Sequence, residues 1–181
     1  MQRSPLEMGI ISSIRRNHGL EHATLNLLAK KMPGTSFAGH SDQKGFWVVG
    51  SISTDLLLET VQEALTRMKN GERALAIHAN CGTNFVTAGL LAGTFAWLAT
   101  LGGANNFKKK FDRWPLLVML VTGALIVAQP LGPKVQQKVT ASGEPGRLVV
   151  KQIVRYERNG PTLHRILTGD AEPPKALEEP A

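Results

Sequence analysis

Two uncharged stretches in the middle of the chain constrain its fold more than any other feature. Neither residues 74–107 nor residues 114–133 contain a Lys, Arg, Asp or Glu, although charged residues make up 19% of the chain. Within the first stretch, Thr83 to Gly103 form an apolar segment of about 20 residues, the length at which a helix crosses the hydrocarbon core of a bilayer. We therefore predict a transmembrane helix there.

The second stretch is shorter in its strictly apolar part, which runs from Pro115 to Ala128 before Gln129 and Pro130 close it. At that length a buried helix of a soluble core remains an alternative to a membrane span. Spanning is favoured because two adjacent apolar runs joined by the polar residues 104–113 form a helical hairpin with a solvated tip. Three aromatic residues suit positions at the membrane–water interfaces: Trp97, Phe107 and Trp114.

Glycines at short spacing also mark the predicted hairpin. Gly89 and Gly93 have the G-x-x-x-G spacing that lets two membrane helices approach closely. This spacing is compatible with homo-oligomers formed through the transmembrane helices. The alternative is that glycine is simply common in such helices.

The apolar segment Met8–Ile14 is too short for a signal sequence, and no small-residue cleavage site follows it. It fits either an amphipathic helix on the membrane surface, with Arg15 and Arg16 toward the head groups, or the start of a soluble helix. With no cleavable signal, and with one cysteine and hence no internal disulfide, we expect a protein of the cell membrane with both termini in the cytoplasm.

The basic character of the chain indicates the lipid bilayer as a partner and argues against nucleic acid. The net charge is +7, but the basic residues are spread out and aromatic residues do not alternate with them, as they do on many nucleic-acid-binding surfaces. Anionic lipid accounts for the charge better.

Polar segments before the apolar middle predict two helices and a β-hairpin. Residues 18–32 read as a helix with Asn17 as its N-cap and a Pro-Gly stop. Residues 35–53 are typical of a β-hairpin, with two short strands around a Ser-Asp-Gln-Lys-Gly turn. Residues 53–71 predict an amphipathic helix capped by Ser53 or Thr54.

The rest of the polar sequence completes the predicted domain. Residues 74–77 are typical of a strand, and residues 146–169 of a second hairpin that could extend the first sheet. The predicted fold class is α+β, a small mixed domain of helices and β-hairpins with an inserted two-helix transmembrane hairpin. Its parts are an N-terminal α+β part at 1–82, the transmembrane hairpin at 83–133, a C-terminal β-hairpin at 134–169 and a disordered tail at 170–181.

Two histidines in the first predicted helix suggest a metal site. His18 and His22 are four residues apart, so that their imidazoles lie side by side on one face of a helix, close enough for both to bind one Zn²⁺. Glu21 lies between them in the order H-x-x-E-H, an inverted form of the zincin motif, and is the candidate acid–base group. The alternative is two histidines that share a helix face.

A second string, "HANCG", places His78 and Cys81 on a turn at the start of the first apolar run. Nitrogen and sulfur donors suit Zn²⁺, and Fe²⁺ is compatible with them. Cys81 as a nucleophile paired with His78, or as a small buried residue, are alternatives. The remaining histidines of the predicted strands, His40 and His164, are interpreted as surface or sheet residues.

The two strings together resemble motifs of uncharacterised bacterial membrane proteins. "HGLEH" and "HANCGTNF" followed by an apolar hairpin are similar to the H-G-x-E-H and H-x-x-C-G-T-x-F motifs of the YqhQ-like family, described as metal-dependent enzymes. A related domain-of-unknown-function family that starts with H-x-L-E-H-A-T is similar too, and closer. The resemblance runs from Arg16 to the second apolar run. Leu20 departs from the YqhQ-like pattern, which has alanine there.

This resemblance implies a membrane-anchored, metal-dependent protein. The implied zinc ligands are His18, His22, His78 and Cys81, with Glu21 as the catalytic acid–base group. Three ligands would leave a position for a water that Glu21 deprotonates, and the protein would then be a hydrolase acting on a peptide or lipid-linked substrate at the membrane surface. Four ligands would close the shell and make a structural site in a protein that is not an enzyme.

Overall fold

The structure is a computed structural model, which describes Leu6 and residues 9–101, 111–157 and 160–172. Parts of three predictions lie outside these residues: residues 104–110 of the predicted hairpin tip, Asn159 of the predicted turn and residues 173–181 of the predicted tail. The chain divides into two units: a first unit, Met1–Ala76 with Ala141–Ala181, and a second unit, Ile77–Thr140.

The first unit combines helices with an antiparallel sheet. Its elements in chain order are α1 (Gly9–Lys31), β1 (Ala38–Asp42), β2 (Gly45–Val49), α2 (Thr54–Lys69), a 3-10 helix (Arg73–Ala76), β3 (Leu148–Tyr156) and β4 (Leu163–Asp170). The strands lie in the order β1-β2-β4-β3, and each neighbouring pair is antiparallel. The predicted α+β class and the extension of the first hairpin by the second are confirmed.

The core of the first unit lies between α1, α2 and one face of the sheet. Alternation along β2 and β4 turns Phe46, Val48 and Ile166 to this face, as expected when every second residue of a strand points inward. The helices contribute aliphatic side chains that pack against them: Leu20, Leu27 and Leu28 from α1, and Leu57, Val61 and Leu65 from α2. The buried middle of α1 therefore carries the first histidine string into the core.

Helix α1 begins earlier than predicted, and Asn17 is not its N-cap. The helix starts at Gly9, and Asn17 is buried in its middle. The Asn17 side chain donates to the carbonyls of Asp42 and Gln43 at 2.8 and 3.1 Å and accepts from Thr168 Oγ1 at 2.6 Å. Asparagine is poor inside a helix because its side chain competes for backbone groups, but these contacts to the sheet satisfy it.

Residues 9–14 form the start of α1, a helix that belongs to the first unit. The side chains of Arg15 and Arg16 are engaged inside this unit. Arg16 pairs with Asp170, and Arg15 Nη1 donates to the carbonyl of Leu6 at 3.1 Å. Ile10, Ile11 and Ile14 remain exposed.

The predicted strand at Ala74–Ile77 is wrong, because residues 73–76 form a 3-10 helix. Side chains of α1 contact the backbone carbonyls of this 3-10 helix. Asn26 donates to the carbonyl of Leu75 at 2.9 Å, and His22 Nδ1 lies 2.8 Å from the carbonyl oxygen of Ala76. By contrast, α2 follows its local signals. Ser53 caps it, Arg67 pairs with Glu63 one turn earlier, and Gly71 ends it with a φ of +98°.

His164 lies on the core-facing side of β4 and is fully buried. Its Nε2 is 3.1 Å from Thr54 Oγ1 at the start of α2, and within the described part of the chain its Nδ1 has no hydrogen-bond partner. Burial lowers the pKa of His164, and the positive charge of Arg155 on the neighbouring strand lowers this pKa further. The predicted sheet position is confirmed, and the ring is held neutral.

We expect the first unit to lose stability as the pH falls below about 6.5, the ordinary histidine pKa. In the unfolded chain His164 takes up a proton near that pH, whereas in the folded chain it does so only at lower pH. The unfolded state therefore binds more protons, and stability falls by at most about 1.4 kcal/mol per pH unit from this group. Melting temperatures between pH 5 and 7.5 should show a flatter slope for His164→Gln. His40→Gln, at an exposed histidine of β1, is the control, and equal slopes in both variants would contradict the prediction.

The second unit is a pair of helices packed on each other, α3 (Gly82–Thr100) and α4 (Trp114–Val135), and a π-helix (Gln136–Thr140) follows α4. Small buried residues four positions apart on α4 line the contact: Ala124, Ala128 and Gly132. This spacing lets backbones approach closely. A Cβ on Gly89 or Gly93 would meet nothing within 4 Å, so these predicted contact glycines do not serve this helix pair.

One helix of the described residues, Trp114–Thr140, is long and apolar enough to cross a membrane. The helix does not end at Gln129 and Pro130 as predicted, because α4 continues through Pro130 and Pro133. Large apolar side chains are exposed on both helices, among them Phe85, Leu90 and Trp97 of α3 and Met119, Ile126 and Val127 of α4. Exposed apolar residues on this scale mark a membrane or protein contact.

Candidate metal centre

The first histidine string lies on one face of α1, as the spacing predicts. The imidazole rings of His18 and His22 meet edge to face with their centroids 4.2 Å apart. One ring nitrogen of each lies within 4.8 Å of the other. A separation of this size is compatible with two ligands of one ion, since two nitrogen atoms bound at 2.0–2.1 Å in a tetrahedral site are about 3.4 Å apart.

A hydrogen bond fixes the orientation of His22. The ring is 2% exposed, and Nδ1 lies 2.8 Å from the carbonyl oxygen of Ala76. Because a carbonyl only accepts, Nδ1 must carry the proton and donate it, so that in the neutral ring Nε2 holds the lone pair. Histidines that bind metals usually donate their second ring N–H to a carbonyl or carboxylate in this way.

Two other residues of the first string, Gly19 and Glu21, pack against neighbouring parts of the first unit. A Cβ on Gly19 would overlap the carbonyl of Ser142, where the chain crosses α1 and the Ser142 N–H donates to the carbonyl of Arg15 at 2.8 Å. The Glu21 carboxylate lies against Gly39 of β1, and the residue is 4% exposed. The candidate acid–base group is therefore a buried carboxylate one residue before His22.

The second string forms a tight turn in the second unit. The Cys81 N–H donates to the carbonyl of His78 at 3.3 Å, and the Asn84 N–H donates to the carbonyl of Cys81 at 2.9 Å. Cys81 is the N-cap residue of α3 and is 6% exposed, whereas His78 is half-buried. A helix N-terminus favours a negative charge, and it favours the thiolate form of a cysteine that a metal binds.

Two polar residues that sequence reasoning missed hold this turn. Gln136 of the π-helix accepts from the His78 N–H at 3.1 Å and donates to the His78 carbonyl at 3.0 Å and to Asn84 Oδ1 at 2.6 Å. Asn84 Nδ2 donates to the carbonyl of Ala79 at 2.7 Å. The only signal in the sequence was an uncharged polar residue at each end of the apolar middle, a weak one since such residues are common there.

The predicted site residues thus fall into two pairs. His18 and His22 lie together in the first unit, and His78 and Cys81 share a turn in the second. Imidazole and thiolate donors are the set that Zn²⁺ binds in tetrahedral sites, and Fe²⁺ accepts the same donors. The tautomer of His22 fits a role as a metal ligand.

The fold and these motifs define an α+β protein with an apolar helix pair. A family described as a domain of unknown function, DUF6391, matches residues 13–153, and the chain belongs to this family. This membership confirms the domain-of-unknown-function part of the resemblance, while the likeness to the YqhQ-like motifs stays a prediction.

The chain is 33% identical over 148 residues to an uncharacterised protein of Picosynechococcus sp. strain PCC 7002, covering 71% of this chain and 66% of that protein. The chain therefore spans just under two thirds of that relative's length. No solved structure matches the chain.

Proposed function

We propose that this protein is a membrane-anchored metal-binding protein in which His18, His22 and Cys81 hold a Zn²⁺ ion. The observation that carries the proposal is the His18–His22 pair in α1. Its rings meet edge to face with their centroids 4.2 Å apart, and the Nδ1–H of His22 donates to the Ala76 carbonyl. A buried imidazole fixed in the tautomer that presents Nε2 has the chemistry of a ligand for a divalent metal.

Chain connectivity supports Cys81 or His78 as the next ligand. His78 follows Ala76, whose carbonyl contacts His22, by two residues, and two residues span at most about 7 Å. The hydrogen bond from Cys81 to His78 closes a turn, and turns of this kind bring their ends within about 7 Å. The second string therefore begins two residues after the carbonyl group that His22 contacts.

Cys81 is the better of the two candidates. It is buried at the N-terminus of α3, and a helix N-terminus suits the negative charge of a thiolate that a metal binds. His78 is half-buried and contributes its backbone to the turn. In this proposal the fourth position belongs either to His78, which would close the site, or to a water molecule that Glu21 deprotonates for hydrolysis of a peptide or a lipid-linked substrate.

We propose that α3 crosses the membrane together with α4. The first unit contains residues on both sides of the second in sequence, and a folded domain lies on one side of a bilayer. The chain between Ile77 and Thr140 must therefore cross an even number of times. If Trp114–Thr140 spans the membrane, α3 is the helix of the described residues that offers a return path, since its 19 residues pack along α4.

The metal content of the detergent-purified protein tests the metal proposal. We expect about one Zn or Fe per chain in the wild type, because three protein ligands hold an ion firmly. Elemental analysis should show loss of the metal in both His22→Ala and Cys81→Ser. His40→Ala is the control, as an exposed histidine outside the site. No metal in the wild type after reconstitution with Zn²⁺ would refute the proposal.

The Glu21→Gln variant in the same measurement separates a hydrolase from a structural metal site. The substitution keeps the shape of a side chain that packs against Gly39 and removes its charge. A catalytic base predicts full metal content and no turnover. The burial of Glu21 against β1 favours a second candidate, a protein without enzymatic activity in which the residue supports the site. That candidate predicts a lower melting temperature and no activity to lose.

A further inference from the structure

Gln136 occupies an unusual position for an amide, at the point where the apolar helix α4 changes into a π-helix. Its side chain is fully buried. Both N–H groups and the oxygen of the Gln136 amide form hydrogen bonds. Their partners are the backbone N–H and carbonyl of His78 and Oδ1 of Asn84. A buried amide with every group satisfied fixes its partners in one arrangement.

The packing around Gln136 makes this arrangement tight. A Cβ on Gly132, one turn earlier on α4, would overlap Asn84 Oδ1. Thr83 Oγ1 also lies 3.0 Å from Thr140 Oγ1, at the far end of the π-helix. The beginning of α3 and the end of α4 are therefore joined at several points by polar contacts, and π-helical turns are frequent at functional sites.

The contacts of Gln136 bear directly on the placement of Cys81. The His78 carbonyl that accepts from Gln136 Nε2 also accepts from the Cys81 N–H. Asn84, which accepts from Gln136, donates its own N–H to the Cys81 carbonyl. Cys81 is thus held on both sides of its backbone by groups that Gln136 fixes.

We propose that Gln136 is a positioning residue that holds Cys81 for metal binding, and that the end of helix α4 thereby controls the affinity of the metal site. This inference rests on the proposed function, because it assigns a means of regulation to that site. A shift of α4 along its axis would be transmitted through Gln136 to the turn that carries the thiolate. Changes in the surrounding lipid or in a neighbouring helix would then alter metal binding.

Cobalt substitution of the detergent-purified full chain tests the inference, since a thiolate bound to Co²⁺ gives a sulfur-to-metal charge-transfer absorption. The test variant is Gln136→Met, which keeps the length of the side chain and removes all three hydrogen bonds. The matched control is Gln137→Met, at the exposed neighbour. We expect Gln136→Met to weaken Co²⁺ binding at least about tenfold and to reduce the charge-transfer band, as loss of a supporting hydrogen bond does in other metal sites.

A second variant guards against simple misfolding. Gln136→Glu keeps the acceptor for the His78 N–H and removes both donors, and we expect it to lose the band while circular dichroism shows the wild-type helix content. Wild-type cobalt affinity and spectrum in both Gln136 variants would overturn the inference.

The experiment also separates this inference from the proposed function. If the wild-type protein shows no sulfur-to-cobalt charge-transfer band, the proposed metal site with Cys81 as a ligand is refuted. The proposed control of metal affinity by α4 is then refuted with it. The maleimide labelling rate of Cys81 in the metal-free protein then decides the positioning role. Faster labelling in Gln136→Met than in Gln137→Met would support it, and equal rates would contradict it.

Discussion

Replacing Gly19 by alanine is expected to destabilise the first unit by about 3 kcal/mol, the upper part of the range for overpacked cores. The added methyl group would overlap the backbone carbonyl of Ser142, and neither side can give way easily. On one side lies the buried middle of α1, and on the other a segment held by the hydrogen bond from the Ser142 N–H to the Arg15 carbonyl. Denaturant unfolding of the purified protein would measure the loss.

Gly89→Ala provides the control for this prediction. It makes the same exchange inside a helix, but the new Cβ would meet nothing within 4 Å. Alanine is favoured over glycine in helices by about 1 kcal/mol, so the control is expected to be neutral or slightly stabilising. Equal stability of Gly19→Ala and the wild type would mean that the segment at Ser142 does not press on α1.

Replacing Ile126 by lysine is expected to reduce insertion of the protein into membranes. Ile126 lies in the middle of α4 with 60% of its surface exposed, where a membrane-spanning helix faces lipid. A lysine at the centre of a span costs about 3 kcal/mol of insertion free energy, enough to shift most of the chain out of the bilayer if the span is marginal. The measurement is the fraction of protein that remains in alkali-washed membranes.

Gln137→Lys is the matched control, because it places the same charge on an exposed position near the end of the helix Trp114–Thr140. There a long side chain reaches the interface, so membrane retention is expected to stay close to that of the wild type. Wild-type membrane retention of the Ile126→Lys variant would argue against a membrane span. If Ile126→Lys raised the yield of soluble, folded protein with no loss from membranes, α4 would be a surface helix that binds another protein.

The elements that sequence reasoning predicted correctly are those whose signals are local. Helix α2 shows its cap at Ser53 and its stop at Gly71 within its own residues, and β2 shows its buried face by alternation. Asn17 was misread because a capping residue and a buried helix residue look the same in sequence. What makes it a helix residue is its set of acceptors in the β1–β2 turn, twenty-five residues away and more.

In the candidate site, too, the contacts predicted from sequence are the local ones. The pairing of His18 with His22 follows from helical spacing and was predicted. Gln136 was not, because its partner His78 lies 58 residues away in sequence and no local pattern connects them. The prolines near the end of α4 gave the wrong helix end for a similar reason. A proline removes a helix hydrogen bond and predicts a helix end, yet α4 continues through Pro130 and Pro133.

The position of β4 between β2 and β3 has a consequence for biosynthesis. The ribosome makes β2 before the two apolar helices and β4 after them, so a nascent chain carries an unpaired β2 edge throughout synthesis of the second unit. During that time the core also lacks Ile166. Exposed strand edges of this kind are prone to pair with other chains. A chain that ended before Leu163 would therefore expose the β2 edge, and the first unit completes its sheet only once β4 has been made.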